Sequence, residues 1–336
     1  MNKLYTASEI LEQLKTLERV LLRRVFKASY SDNLRTYDLI GYLKSKLTEV
    51  GLGEQESCAA LINDLEKLSK AISSLINGKR GEQMAAKSLG CLRDKCLLLS
   101  NIALQNGDSF EEYDQIVIAP GGVFIVEVKN LGHDSIIDEG GILRCGPYAY
   151  NVGERMLEKR RALWDAIRFS TEGFMSENDI HGMLLFVNDK STVRDFFRRV
   201  PVKRRGQIVY DLDRASENGL SLSREEMSRI KASVVTRMVE AKFPMPVDSA
   251  ALIDELNAVL EQMRERTEAT DKVKTQLTAE TSRPDLKSEK ATWQQRITEW
   301  LPIAAALVVG AIGARGLAKT PIRMPRSLRQ TASEAN

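Results

Sequence analysis

Residues 113–130, with the sequence YDQIVIAPGGVFIVEVKN, constrain the fold more than any other stretch of the chain. Two apolar runs flank a Pro-Gly-Gly turn, a pattern that predicts a β-hairpin. Side chains alternate between the faces of a strand, so Glu127 and Lys129 lie on the same face as the apolar Ile125 before them. Ionised groups in a core cost several kcal/mol unless they are paired. The pair therefore marks either a strand end that emerges into solvent or a functional site.

The first 77 residues show the spacing of amphipathic helices. Apolar residues recur at intervals of three and four in two stripes: Ile10, Leu14, Leu17 and Leu21, and then Leu61, Leu65, Leu68, Ile72 and Leu75,. The segments 31–33 and 51–57 predict breaks between helices. We expect residues 1–77 to form either a small antiparallel bundle or coiled coil, used for packing or self-association, or an extra helical layer on the next domain.

Residues 78–243 combine strands and helices. A helix is predicted from Gly78, with Gly78 and Gly81 near its start,. Around the hairpin, the pattern predicts a strand at 95–104, a strand pair around 141–153, a helix at 154–167, strands at 181–188 and 206–213, and a helix at 224–243,. This order predicts an α/β fold with a mixed central sheet flanked by helices.

The C-terminal third becomes polar and then apolar. Residues 244–299 predict one helix at 249–266 followed by a flexible linker,. Residues 300–318, WLPIAAALVVGAIGARGLA, are long enough for either a transmembrane helix or a helix that lies on a membrane or packs on protein,. Residues 319–336 form a basic tail.

Charge and cysteine usage exclude several classes of protein. The net charge is only +3, so whole-chain charge indicates no particular partner. The four cysteines form no CxxC pair, and His133 and His181 add no zinc-site spacing,. The N-terminus lacks the apolar run of a secretory signal,. We therefore expect a cytoplasmic protein with reduced thiols, with or without a membrane anchor at 300–318.

Acidic residues and one lysine are predicted to meet around the hairpin. Asp114 is expected to start one central strand, with Glu127 and Lys129 on its neighbour, and Glu82 comes from the preceding helix. Mg²⁺ prefers a few carboxylates completed by waters and substrate phosphates, and a bound metal can activate water against a phosphodiester. A lysine beside the ligands can orient that water or offset charge on the phosphate. The pattern therefore predicts a phosphodiesterase site.

Three segments carry a family resemblance: GKRGE at 78–82, the hairpin at 113–130 and HGMLLFVND at 181–189. Together they resemble the nuclease-related domain, NERD, which is similar to the restriction-endonuclease-like PD-(D/E)xK nucleases. The resemblance covers roughly residues 78–215 and implies a restriction-endonuclease-like fold. It also implies that Asp114, Glu127 and Glu82 bind Mg²⁺ or Mn²⁺ and that Lys129 is the catalytic lysine.

Basic residues follow the hairpin and suit a polyanionic partner. They are Lys159, Arg160 and Arg161, and then Arg198, Arg199, Lys203, Arg204 and Arg205. Such clusters either hold a phosphate backbone without reading sequence or form an ordinary solvated surface. His133 follows the strand of Glu127 and is either an accessory residue of the site or a residue without a role in it.

Three functions are compatible with the sequence. The intact set Glu82, Asp114, Glu127 and Lys129 favours a metal-dependent nuclease that hydrolyses phosphodiester bonds in DNA. The alternatives are a module that binds nucleic acid or protein without cleavage, and a membrane-tethered scaffold in which the helical region at 1–77 acts.

Overall fold

A computed structural model describes residues 3–146, 148–171, 173–214 and 220–281. Its helices are α1 (Ala7–Phe26), α2 (Thr36–Glu49), α3 (Glu56–Leu89), α4 (Val152–Thr171), α5 (Arg205–Arg214), α6 (Arg224–Thr236) and α7 (Ser249–Thr281). Its strands are β1 (Leu4–Tyr5), β2 (Leu97–Asn106), β3 (Ser109–Ala119), β4 (Gly122–Lys129), β5 (Ser135–Ile137), β6 (Ile142–Cys145), β7 (Tyr148–Asn151), β8 (Ile180–Phe186), β9 (Val193–Asp195), β10 (Val202–Arg204), β11 (Met238–Val239) and β12 (Phe243–Pro244). One compact unit ends at Glu265 and a second begins at Arg266, within α7.

The predicted N-terminal helices form a bundle. The α1 helix begins at a capping box, in which the backbone N–H of Thr6 donates to the Glu9 carboxylate at 2.8 Å and the N–H of Glu9 donates back to the Thr6 hydroxyl,. Both predicted leucine stripes pack in one core with α2, and Leu75 at the end of the second stripe is partly buried. The N-terminal part of α7 adds Leu252, Leu256 and Val259 to that core. The bundle therefore needs residues from both sides of the α/β region in the sequence.

The predicted mixed sheet is confirmed and has six strands in the order β10-β8-β4-β3-β2-β11. The β8 strand runs parallel to β10 and β4, whereas β3 pairs antiparallel with β4 and β2. Pro120 and Gly121 connect β3 to β4, as the hairpin pattern predicts. A second, four-stranded sheet has the order β7-β6-β5-β9, and β1 pairs with β12.

Helices cover both faces of the six-stranded sheet. On one face Ile116, Ile125 and Leu184 share a core with α4 and α6. On the other face Val117, Val126 and Leu185 pack with the C-terminal half of α3 and with α5. Burial on both faces explains why these strands are nearly continuous apolar runs.

The α3 helix belongs to both cores. Leu61, Leu65 and Leu68 lie in the bundle, whereas Ala85 and Leu89 pack on the sheet. The predicted boundary between residues 77 and 78 falls inside this helix, and the prediction that Gly78 and Gly81 lie near a helix start is wrong. Glycine lowers helix propensity by only about 1 kcal/mol, and burial at both ends of α3 offsets that cost.

Gly81 marks the closest approach of α3 to the sheet. A Cβ atom at Gly81 would lie 2.9 Å from Asn130 Cβ and 3.4 Å from Val128 Cγ1, whereas one at Gly78 would meet only Glu82 Oε1, at 3.9 Å.

We expect Gly81→Ala to lower the free energy of unfolding by about 1–3 kcal/mol through overpacking. The matched Gly78→Ala, at an exposed position, should raise it by up to about 1 kcal/mol through helix propensity,. Urea denaturation of full-length proteins measures both, and equal stability of the two variants would contradict the close approach.

Three other boundaries differ from the predictions. Residues 206–213 are helical in α5 and not a strand, because Ile208 and Leu212, four residues apart, are buried together against the sheet,. The α6 helix ends at Thr236, and the following residues form the edge strand β11. The α7 helix continues to Thr281, into the segment that was predicted to be a linker.

The predicted membrane segment lies outside the described residues. Among the helices that the structure describes, none is both long and apolar enough to cross a bilayer.

Candidate active site

The candidate site lies where the antiparallel pairing of β3 is interrupted. The pairing of β2 with β3 runs from Leu97↔Ile118 to Ser100↔Gln115 and resumes at Ile102↔Tyr113. Asn101 and Asp114 are skipped, and Asn101 adopts the left-handed φ of 52° that asparagine tolerates better than most residues,.

This interruption shifts the alternation of faces by one residue on each strand. Leu99 and Ile102 on β2 both enter the core under α4 and α6, and so do Tyr113 and Ile116 on β3. In a regular strand, residues i and i+3 lie on opposite faces. They share a face only where one extra residue breaks the alternation. Asp114 therefore lies in the middle of β3, and the prediction that it starts the strand is wrong.

Asp114 connects β3 to β4 through its side chain. The backbone N–H of Val128 donates to Asp114 Oδ2 at 2.6 Å, just beyond the last backbone pairing of the hairpin at Gln115↔Val126. Burial and the nearby charge of Glu127 raise the pKa of Asp114 to about 6, and the hydrogen bond from Val128 opposes this rise. Asp114 is thus a carboxylate in a site where negative charge is unfavourable.

Glu127 is held between two lysines. Lys129 Nζ donates to Oε1 at 2.9 Å, and Lys159 Nζ, from α4, donates to Oε2. Burial alone would raise the pKa of Glu127, but the two ammonium groups outweigh it and lower the pKa to about 2. Burial likewise opposes the charge of Lys129, and Glu127 outweighs burial and raises the pKa of Lys129. Glu127 and Lys129 therefore stay ionised at neutral pH, as a carboxylate and an ammonium ion.

Asp114, Glu127 and Lys129 line one cavity of about 300 Å³. Glu111 and Arg155 lie at the same cavity and form an ion pair at 2.7 Å. The Tyr113 hydroxyl donates to the backbone oxygen of Lys159 at 2.9 Å, which fixes α4 over the strand. The structure thus brings together the three hairpin residues that the sequence singles out.

Glu82 approaches Asp114 from another side. It lines a second cavity, of about 540 Å³, together with Asp114, Asn101 and Glu112. Burial raises the pKa of Glu82, and a hydrogen bond with Asn101 opposes that rise. Asp114 is therefore shared by two cavities, with Glu82 in one and Glu127 in the other.

These positions lie within a recognised domain. Residues 77–187 match the family model of the nuclease-related domain, NERD. The match confirms the resemblance from residue 78 to residue 187, and it does not include the predicted extension to residue 215. It begins inside α3 and ends just after β8, so the NERD segment contains Glu82, Asp114, Glu127 and Lys129. Neither the comparison with curated proteins nor that with solved structures finds a match.

The basic residues predicted to contact nucleic acid have different environments. Lys159 is only 6% exposed and is paired with Glu127 inside the NERD segment. Arg160 donates to the backbone oxygen of Glu177. Arg161 is exposed. Lys159 is therefore a component of the acidic site and is not part of a solvated basic face.

The second basic cluster is also divided. Lys203 pairs with Asp211 and Arg205 with Asp189, while Arg204 donates to the backbone oxygens of Asn188 and Ser191. Arg198 and Arg199 are exposed. Of the predicted cations, Arg161, Arg198 and Arg199 are thus the most accessible to a large anion.

Sequence reasoning missed Asn101, Glu111, Arg155 and the pairing of Lys159. Asn101 had a signal, since a polar residue interrupts the apolar run LLLSNIAL. Lys159 had none, because its partner Glu127 lies 32 residues away in sequence. His133 lines a third cavity, beside Lys129 and Tyr150, and does not line the one that holds Asp114 and Glu127.

Proposed function

We propose that the NERD segment is a metal-dependent phosphodiesterase that cleaves DNA. The observation that carries the proposal is the shared cavity of Asp114, Glu127 and Lys129, which places two carboxylates and an ammonium group on adjacent strands. This combination suits an anionic substrate and a divalent cation better than it suits a purely structural ion pair, because Asp114 has no lysine bonded to it among the described hydrogen bonds.

The donor set fits Mg²⁺ or Mn²⁺ held by Asp114 and Glu127. The charge of Glu127 raises the cost of ionising the buried Asp114, and a divalent cation would offset this cost,. In the described part of the chain no group of three or more His, Cys, Asp or Glu side chains is arranged to hold a metal. Mg²⁺ commonly takes only one or two protein carboxylates and completes its shell with waters and substrate phosphates. When bound, the ion would supply a polarised phosphoryl oxygen and a more acidic water.

The lysines have distinct roles in this proposal. Lys159, buried and bonded to Glu127, keeps that carboxylate ionised and oriented. Lys129 lines both this cavity and a neighbouring cleft, and it offers its ammonium group to charge that develops on the phosphate,. Glu82 faces Asp114 from the second cavity and is proposed as a further ligand on that side.

A cleavage assay with Glu127→Gln tests the proposal. Full-length protein should cleave DNA only with Mg²⁺ or Mn²⁺, and the variant should lose cleavage and bind Mg²⁺ about tenfold or more weakly in a calorimetric titration, since a charged oxygen ligand is removed. Glu225→Gln, at an exposed position of α6, is the matched control and should retain both properties. Metal-independent cleavage, or unchanged Mg²⁺ affinity in the folded Glu127→Gln protein, would contradict the proposal.

A second candidate function is nucleic-acid binding without cleavage. The observation in its favour is that a lysine engages each oxygen of Glu127, so a metal must compete with both. In that case the wild-type protein binds DNA but does not cleave it at any Mg²⁺ or Mn²⁺ concentration.

A further inference from the structure

An open cleft of about 870 Å³ lies between α3 and β7, beside the candidate site. We name it the tyrosine cleft after Tyr37, Tyr148 and Tyr150, which line it together with Lys70, Lys129 and His133. The three tyrosines are exposed, Tyr148 by 37% and Tyr150 by 44%. Large aromatic side chains that remain exposed around a concave surface are typical of a binding site.

Tyr148 and Tyr150 form a pair of flat surfaces. They are two residues apart on β7, so their side chains project from the same face of the strand,. Their ring centroids lie 6.5 Å apart and their planes are 29° from parallel. Near-parallel exposed rings of this kind provide faces on which nucleobases can stack.

The cleft also carries positive charge next to the rings. Lys70, which is exposed on α3, holds its Nζ over one face of the Tyr148 ring, 4.5 Å from the ring centroid. A base that stacks on that face must displace this long side chain, whose ammonium group can then meet the adjoining phosphate. Glu66 lines the same cleft, but Lys44 pairs with its carboxylate at 2.9 Å. An ammonium group beside a stacking surface matches a nucleotide, whose phosphate lies next to its base.

The tyrosine cleft is continuous with the candidate site. Lys129 and Tyr150 line both the cleft and the cavity that holds Asp114 and Glu127. A strand whose bases stack on Tyr148 and Tyr150 would therefore bring a neighbouring phosphate to Lys129. In a duplex the base faces are covered by their neighbours, so only unpaired or flipped-out bases can stack on protein rings.

We infer that the tyrosine cleft binds a single-stranded segment of DNA, with bases on Tyr148 and Tyr150 and phosphate near Lys70 and Lys129. This inference rests on the proposed function, because it names the substrate class of the same site. It assigns the preference for unpaired DNA to Tyr148 and Tyr150, which lie outside the hairpin at 113–130.

Fluorescence anisotropy of full-length protein in EDTA tests the inference without cleavage. The probes are a labelled oligothymidine of about 12 nucleotides and a blunt duplex of the same length. The single strand should bind more tightly than the duplex. Tyr148→Leu and Tyr150→Leu should each weaken binding of the single strand by about tenfold, whereas Tyr148→Phe and Tyr150→Phe, which keep the ring, should stay within about twofold of wild type.

Tyr210→Leu is the matched control, since Tyr210 is an exposed tyrosine on α5 with Arg214 over its ring. It should bind the single strand as wild type does. Unchanged affinity in the leucine variants, or an equal loss for single strand and duplex, would overturn the inference. Failure of the proposed function is distinguishable, because it appears as absent Mg²⁺-dependent cleavage while the metal-free binding still depends on Tyr148 and Tyr150.

Discussion

Lys129→Ala should lower DNA cleavage by about 10²- to 10³-fold while it leaves Mg²⁺ affinity similar or higher. The substitution removes an ammonium group that lies 2.9 Å from Glu127 Oε1 but removes no oxygen ligand. Glu127 keeps Lys159 as a partner, so the carboxylate does not become an isolated buried charge,. A cleavage assay, a calorimetric Mg²⁺ titration and a thermal melt on the same preparations measure the three consequences.

The control for Lys129→Ala is Lys242→Ala. Lys242 pairs with Glu240 at 2.7 Å and with the same spacing of two residues, but both side chains are exposed. It should leave cleavage and stability within the error of the assays, because exposed, solvent-screened ion pairs contribute little to stability. Full cleavage by a folded Lys129→Ala protein would refute the catalytic role. Loss of cleavage that follows a collapse of the melting temperature would favour a structural ion pair.

The hairpin was predictable because its information is local. Apolar runs, a Pro-Gly turn and alternation of faces are all contained in residues 113–130, and the structure places Ile125 in the core on the face that Glu127 and Lys129 share. The assignment of mixed α/β architecture followed from the order of such local patterns. The match of residues 77–187 to NERD includes this hairpin.

The partner of Glu127 and the shape of β3 were not predictable from one sequence. Lys159 appears in the sequence as one of three consecutive basic residues, and only the packing of α4 on the sheet buries it against Glu127. The interruption at Asn101 and Asp114 depends on the pairing of two strands, which a pattern along one strand does not specify. The sequence therefore identifies the acidic residues but not the electrostatic environment that sets their charge.

The long α3 helix and the short α5 helix show two opposite errors. In α3 the glycines at 78 and 81 suggest a boundary, yet Gly81 serves close packing against Val128 and Asn130 inside a continuous helix. In α5 a short apolar segment resembles a strand, and its helical form is selected by burial of Ile208 and Leu212. In both cases tertiary contacts outweigh local propensity.

Asp114→Asn should make the protein more stable at neutral pH and remove part of the pH dependence of its stability. Burial and Glu127 raise the pKa of Asp114 from 3.8 to about 6 in the folded protein, so the folded state binds the proton more tightly than the unfolded state. The contribution to stability is therefore fully present below about pH 4 and is lost as the pH rises through about 6. The shift corresponds to about 3 kcal/mol, at about 1.4 kcal/mol for each pKa unit.

Denaturation of wild type and Asp114→Asn in EDTA, at several pH values from about 4 to 8, measures this difference. The unfolding free energy of the variant minus that of wild type should rise by about 2–3 kcal/mol over this range, because asparagine has no charge to gain. Asp165→Asn, which removes an exposed carboxylate on α4, serves as the control and should show no such rise.

A flat difference for Asp114→Asn would mean that Asp114 is ionised in the folded protein at as low a pH as in the unfolded chain. In that case the Val128 N–H and the two lysines would lower the pKa of Asp114 by as much as burial and the charge of Glu127 raise it,. The cost of ionising Asp114 would then no longer support the assignment of a metal to this site.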